Sequence, residues 1–155
     1  MIYGASPGPV VQVTNNRIFF TVATGGYGFY IYSVSGGQVE HNAVLGQSKS
    51  WGVGLNIQNS TSVLVSDNAT KNLNYGLFAS GDSGLSIRAN NFSSNGYGME
   101  VASSSYVDVE DNVTASNTTY GIYFDSGSAS YIYRNNVSQG NGTNYSGGTS
   151  GGGNY

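Results

Sequence analysis

A short motif, one aromatic residue followed by glycine, recurs along the chain at nearly constant intervals. Its aromatic members are Tyr3, Tyr27, Trp51, Tyr75, Tyr97, Tyr120 and Tyr145, the last of which is followed by Ser146 instead of glycine. The intervals are 22–25 residues long, and alternating apolar residues follow most copies. A βαβ unit needs about 30 residues, so this period is too short for one. The repeat therefore predicts small β units stacked on one another.

A second motif lies inside each interval. It has apolar residues at alternate positions, degenerate in one copy, and an asparagine shortly after them. The asparagines are Asn16, Asn42, Asn68, Asn90, Asn112 and Asn136. Asparagine tolerates the left-handed backbone that tight turns need, and its amide can bond to the same residue in the repeats above and below. We predict that these residues form an asparagine ladder at a turn, with a structural role.

Each repeat holds two clear runs of alternating residues and a weaker third run after the asparagine. This pattern indicates an all-β fold, a parallel β-solenoid of about six rungs, where one rung is one repeat. We assign residues 1–139 to the solenoid. Residues 140–155 are rich in Gly, Asn and Tyr, and we predict that they form a separate C-terminal tail.

The two motifs together, Tyr-Gly-apolar-x-apolar and then apolar-x-x-Asn, resemble the repeats of the right-handed parallel β-helix family. Such repeats occur in periplasmic copper-site proteins, polysaccharide lyases and archaeal surface proteins. The resemblance covers residues 3–138 and implies a right-handed, single-stranded parallel β-helix. It implies no single function, because that architecture hosts enzymes, adhesins and plain spacers.

Composition excludes several classes of function. Only 8% of the 155 residues are charged, and a net charge of −3 with five basic residues argues against a nucleic-acid-binding surface. The chain has no cysteine, and no apolar run approaches the length of a membrane span. No basic and apolar leader follows Met1. The charge-poor, Asn/Ser/Thr/Tyr-rich sequence favours an extracellular or cell-surface location.

The charged residues suggest a salt-bridge ladder and no reaction centre. Arg88, Glu110 and Arg134 occupy one position in successive repeats, so stacking would place opposite charges side by side. Asp108, Glu110 and Asp111 could begin a calcium site, but neighbouring repeats offer arginines there. Asp67 and Asp111 are two repeats apart, so stacking would place them roughly 10 Å from each other. This distance is at the edge of the range that separates the two catalytic carboxylates of glycosidases. His41 is isolated, and we predict no catalytic residue, metal site or cofactor.

Two surface features have open interpretations. The aromatic residues of the first motif would stack along one edge of the solenoid, either as corner filler or as a strip for sugars or another protomer. Asn-x-Ser/Thr sequons outside the asparagine ladder are candidate glycosylation sites if the protein is exported. They are Asn59, Asn91, Asn117, Asn141 and Asn144.

Two functions follow from these features. The first is a structural subunit of an extracellular filament, in which solenoids stack head to tail through uncapped ends and the tail bridges neighbours. Its partner is a second copy of the chain. The second is a carbohydrate-binding or carbohydrate-active β-helix module, as in an adhesin, a tailspike or a degenerate lyase. The lack of a convincing catalytic cluster favours the first.

Overall fold

The computed structural model describes residues 2–3 (backbone only), 10–21 and 25–155. Within these ranges it is all-β and has three parallel sheets, here named A, B and C. In spatial order, sheet A contains β1 (Ile2–Tyr3), β4 (Tyr27–Tyr32), β7 (Val53–Gln58), β10 (Tyr75–Ser80), β13 (Tyr97–Ala102), β16 (Tyr120–Phe124) and β19 (Thr143–Ser146).

Sheet B contains β2 (Val11–Thr14), β5 (Ser35–Glu40), β8 (Thr61–Ser66), β11 (Ser86–Arg88), β14 (Ser105–Glu110), β17 (Ala129–Arg134) and β20 (Thr149–Gly152). Sheet C contains β3 (Arg17–Phe19), β6 (Ala43–Leu45), β9 (Ala69–Lys71), β12 (Asn91–Phe92), β15 (Val113–Ala115) and β18 (Val137–Gln139).

The chain visits sheets A, B and C in turn, and each visit to all three makes one rung. Every strand pairs in parallel with the equivalent strand of the next rung, so the predicted β-solenoid fold and its number of rungs are confirmed. Six rungs contribute to all three sheets. The part of the chain described here contains no helix that is long and apolar enough to cross a membrane.

A narrow core runs along the axis and is filled by the inward-facing residues of each strand. Alternation in each strand directs every second side chain inward. In sheet A the column Leu55, Leu77, Met99 and Ile122 is completely buried. Fully burying such a side chain contributes about 1.5–3 kcal/mol, so stability comes from stacking rungs and not from any rung alone.

The glycine of the first motif has a packing reason. In the third rung this position is occupied by Gly54, the second residue of β7, and not by Gly52 of the Trp51-Gly52 copy. A Cβ atom at Gly54 would lie 2.6 Å from the carbonyl oxygen of Gly76 and 2.5 Å from a Thr70 methyl carbon. The same close approach recurs in the column Gly28, Gly54, Gly76, Gly98 and Gly121. Glycine is therefore required where the rung closes on itself.

The C-terminal segment differs from the independent tail expected from its sequence. Strand β19 pairs with β16, and β20 pairs with β17, so residues 143–152 add a partial seventh rung to their own chain. Tyr155 then donates its backbone N–H to the carbonyl of Asn136, and its own carbonyl accepts a hydrogen bond from the backbone N–H of Ser138 in β18. A glycine-rich segment can form this rung because stacked parallel strands satisfy its backbone groups even where few side chains pack.

Candidate functional site

Six asparagines occupy one column at the turn between sheets B and C, and each bonds to the next. The Asn68 backbone N–H and Nδ2 both donate to Asn90 Oδ1, at 2.9 and 3.0 Å, and Asn90 bonds to Asn112 in the same way. Each Nδ2 inside the column also donates to a carbonyl of the preceding rung, as Asn90 does to Val65 at 2.9 Å. All members except Asn16 are almost completely buried.

The left-handed backbone at this turn is not at the asparagine, as the sequence suggested, but one residue earlier. His41, Asp67, Ala89 and Asp111 have φ values of 55–56°. The side chain of the ladder asparagine is aimed inward because this preceding residue reverses the chain. One residue thus adopts the left-handed turn conformation, and the asparagine after it makes the amide hydrogen bonds.

Asn154 extends the column by one member that the sequence pattern did not reveal. Asn136 donates through its backbone N–H and Nδ2 to Asn154 Oδ1, at 3.1 and 3.2 Å. Asn154 Nδ2 donates to Tyr133 O at 3.1 Å, which repeats the bond made by the earlier members. The interval from Asn136 is only 18 residues, so it falls outside the period that identified the others.

A second amide column lies at the turn between sheets C and A. Asn95 donates its backbone N–H to Asn117 Oδ1, and Asn117 donates to Asn141 Oδ1, both at 2.8 Å. Recurrence at 22–24 residues is the sequence signal for this column, but Asn117 and Asn141 are identified from the sequence only as sequons, and Asn95 is not singled out. Glycan attachment is inconsistent with the position of Asn117, which is 2% exposed. Asn141 Nδ2 is also engaged, donating to Thr114 O at 2.7 Å. Asn59, Asn91 and Asn144 are exposed.

A third column, at the turn between sheets A and B, contains a buried acid among serines. Ser60, Ser104 and Ser128 supply hydroxyl oxygens, and Asp82 occupies the rung between Ser60 and Ser104. Asp82 Oδ2 is buried and accepts no hydrogen bond from the described residues. Burial raises the pKa of the Asp82 carboxyl to about 7, against the lowering effect of backbone hydrogen bonds from Ser60 and Ser80.

The predicted aromatic column forms only in part. Tyr75, Tyr97 and Tyr120 stack in successive rungs, with ring centroids 4.6 and 5.7 Å apart. Burial, together with the nearby Glu100 carboxylate, raises the pKa of Tyr75 to about 12. Tyr27 reaches the same column, but the next rung places Val53 there.

The other three aromatic residues lie elsewhere, which corrects the prediction. Trp51 lies in the loop before β7 and is 55% exposed, because β7 begins two residues later, at Val53. Tyr145 pairs with Ile122, in an inward column. The backbone of Tyr3 pairs with Tyr32, and its side chain lies outside the described part. Because a shift of two residues keeps every side chain on the same face, the apolar pattern did not reveal these changes.

The charged column has the predicted register but a different set of ion pairs. Arg88, Glu110 and Arg134 lie in adjacent strands. Arg134 binds Glu110 at 2.9 Å and Asp108 at 2.8 Å, and both ion pairs of the described residues are its own. The predicted pair between Arg88 and Glu110 is therefore absent. Hydrogen bonding from Arg134 lowers the pKa of Glu110.

The remaining charged candidates are dispersed. Arg134 occupies oxygens of Asp108 and Glu110, two of the three acids considered for calcium. Asp67 and Asp111 share the left-handed turn column, two rungs apart, with Ala89 between them. Within the described ranges no group of three or more His, Cys, Asp or Glu residues is arranged to hold a metal ion.

Sheet C carries an open groove on its outer face, about 350 Å³ in volume, that sequence analysis did not identify. It crosses the first four rungs along the solenoid axis. Ala43 and Ala69 form part of its lining, and Phe19 and Leu45 contribute exposed apolar surface. Arg17 and Lys71 are its charged lining residues.

Donors that copper prefers are scarce in this chain. Thiolate, thioether and imidazole groups are the ligands for copper ions, and the sequence has no cysteine, one histidine and two methionines. His41 is exposed on the turn between sheets B and C, whereas Met99 is completely buried in the core. Met1 lies outside the described residues.

Comparison with known proteins assigns a family. Neither the curated proteins nor the solved structures include a significant match. The family model described as periplasmic copper-binding protein (NosD) matches residues 10–146, which include the asparagine ladder up to Asn136 and all six complete rungs apart from β1. The match covers most of the sequence, and the chain therefore belongs to the NosD family.

Proposed function

We propose that this protein is a structural component of the cell envelope, in which solenoids of identical chains stack head to tail into a filament. A location outside the cytoplasm agrees with the periplasmic description of the NosD family. The partner in this proposal is a second copy of the chain. The observation that carries the proposal is the complementarity of the two ends of the asparagine ladder.

The first and last members of this ladder present matching groups. Asn16 Oδ1 accepts no hydrogen bond from a described residue, although every later Oδ1 in the column accepts two. At the other end, the Asn154 backbone N–H donates to no described residue. The bond from one Asn to the next would continue if Asn154 of one copy donated to Asn16 of another.

Strand edges support the same arrangement. Strands β2 and β3 at one end, and β19 and β20 at the other, each pair on one side only within the described residues. All are parallel members of their sheets, so a head-to-tail copy meets each edge in the direction that the sheet already uses. The C-terminal segment pairs with its own chain, so it is not free to extend across the junction as a bridging tail. The neighbouring copy would instead contact the outer edge of this segment. Such a heterologous contact does not close and generates a filament.

Copper binding is not part of this proposal. The residues present do not fit a copper site, because His41 is exposed and isolated and Met99 is enclosed by the apolar core. The acid oxygens of Asp108 and Glu110 are bonded to Arg134. We therefore derive no function through a metal.

The alternative, a carbohydrate-binding strip on the aromatic column, has weaker support. Sugars stack on exposed aromatic faces, but the rings of Tyr75 and Tyr97 cover each other with an interplanar angle of 24°. Rings stacked in this way have the arrangement expected of side chains that pack the corner of each rung in a structural role. Self-association is therefore the function that the geometry supports better.

Electron microscopy and sedimentation of the purified protein across a concentration series test the proposal. We expect filaments with an axial repeat near 34 Å, from seven rungs at about 4.8 Å each. Replacing Asn154 by lysine would place a charge at the junction and should prevent assembly. Thr118→Lys, an exposed position in the middle of the solenoid, is the matched control and should still assemble. Monomers of the unaltered protein at every concentration would refute the proposal.

A further inference from the structure

We propose that the groove on the outer face of sheet C binds an acidic polysaccharide lying along the solenoid axis. This inference does not depend on filament formation. It concerns a different surface, whose lining residues come from β3, β6, β9 and β12 and from the residues that follow β12.

The shape of the groove suits an extended polymer. It is open along its length and crosses four rungs, a span of about 14 Å from the first to the fourth strand. Ala43 and Ala69 occupy the position that Arg17 occupies in the first rung. Their small side chains leave the middle of the groove unfilled. Phe19, 54% exposed, and Leu45, 37% exposed, offer apolar contacts of the kind that the C–H faces of sugar rings make.

The charge of the groove is opposite to that of the protein. The net charge is −3, yet the charged lining residues are both basic, Arg17 and Lys71. They lie two rungs and two residues apart, so their backbone positions are separated by about 12 Å. The Arg17 guanidinium sits 5.4 Å from the centre of the Phe19 ring, which orients it over the groove. Two spaced cations match a polymer with periodic carboxylates.

Other extended ligands fit less well. A nucleic acid carries a phosphate charge about every 1.7 Å of duplex axis, a density that two cations do not match. A peptide that binds by strand addition needs an open strand edge. The strands under the groove, β6 and β9, are paired on both sides. Asn91 and Ser93, at one end of the groove, provide neutral hydrogen-bonding groups for sugar hydroxyls.

Binding of purified protein to polygalacturonate, measured by affinity electrophoresis, tests the inference. We expect mobility to fall in gels that contain polygalacturonate, with an effect that weakens as salt is added. The double variant Arg17→Gln/Lys71→Gln should bind at least about fivefold more weakly, from the loss of two exposed ionic contacts. Both side chains are exposed, so this variant should fold.

Arg88→Gln is the matched control, because Arg88 is an exposed cation on sheet B and away from the groove. It should retain the mobility shift. If Arg88→Gln weakens binding as much as the double variant does, the interaction is general charge attraction and the inference is wrong. Equal retardation by neutral dextran, or tighter binding of a single-stranded oligonucleotide, would also overturn it.

Discussion

The Asp82 carboxylate accepts a hydrogen bond from the backbone N–H of Ser60 at 2.7 Å, inside a column where the neighbouring rungs use serine hydroxyls. Asp82 Oδ1 thus takes the place of a serine hydroxyl oxygen in this column. The second carboxyl oxygen, Oδ2, is buried and accepts no hydrogen bond from the described residues. A buried, unpaired carboxylate is costly when it is ionised.

This arrangement predicts that stability falls as pH rises from about 4 to 7. The pKa of Asp82 is about 7 in the folded protein, against an ordinary value of 3.8, so the folded state binds the proton more tightly. The protonated Asp82 carboxyl therefore contributes its full stabilisation below pH 3.8, the ordinary pKa. This stabilisation is lost as pH rises through about 7, the pKa in the folded protein. Asp82→Asn should flatten the profile and raise stability at pH 8 by on the order of 4 kcal/mol.

Urea unfolding between pH 4 and 8 measures this effect. Asp111→Asn, a change at an exposed turn residue, is the control and should keep the pH dependence of the unaltered protein. An unchanged slope in Asp82→Asn would show that the carboxyl titrates near its ordinary value.

Replacement of Asn90 by alanine should destabilise the fold strongly. The change removes the acceptor for two bonds from Asn68 and the donor for bonds to Val65, Arg88 and Asn112. Each buried group left unpaired costs about 1–3 kcal/mol. The neighbouring exposed residue gives a matched variant, Asn91→Ala, which should change stability by no more than about 0.5 kcal/mol. Thermal unfolding of the two variants tests the contrast, and equal midpoints would contradict it.

Gly54→Ala should be far more harmful than Gly25→Ala. The added methyl at Gly54 meets the side chain of Thr70, which is buried, and the backbone carbonyl of Gly76, which cannot move without shifting a strand. At Gly25 an added Cβ meets no atom of the described residues within 4 Å. We expect Gly54→Ala to cost about 3 kcal/mol, at the upper end of the range for overpacked cores. Soluble yield and unfolding midpoint measure this, and a tolerated Gly54→Ala would mean that the rungs are further apart.

The displaced position of Trp51 predicts that this residue contributes little to stability. It is exposed in a loop, so Trp51→Ala should change the free energy of unfolding by less than about 0.5 kcal/mol. Tyr97→Ala should cost roughly 1–3 kcal/mol, because the ring packs between Tyr75 and Tyr120. Intrinsic fluorescence gives an independent check, since Trp51 is the single tryptophan and its emission should be that of a solvated indole. A blue-shifted emission would place Trp51 in the column after all.

The periodic features of this chain could be predicted from the sequence alone. Alternation of apolar residues at Val63 and Val65, or at Val107 and Val109, specifies strands, and the interval of the asparagines specifies how the rungs stack. The register of the charged residues could be predicted in the same way, and Arg88, Glu110 and Arg134 do lie one rung apart. These features depend on local preference and on repetition, which a single sequence displays.

Tertiary structure decided what repetition leaves ambiguous. Trp51 and Val53 lie on the same face of an extended chain, so only the pairing register of β7 determined which of them enters the column. Asn154 closes the ladder after a shortened rung, and Asp82 replaces a serine in a buried column. The groove beside Arg17 and Lys71 exists because sheet C brings together strands that are far apart in sequence. Alternation specifies the face that a residue occupies, whereas loop length and packing between rungs determine its neighbours.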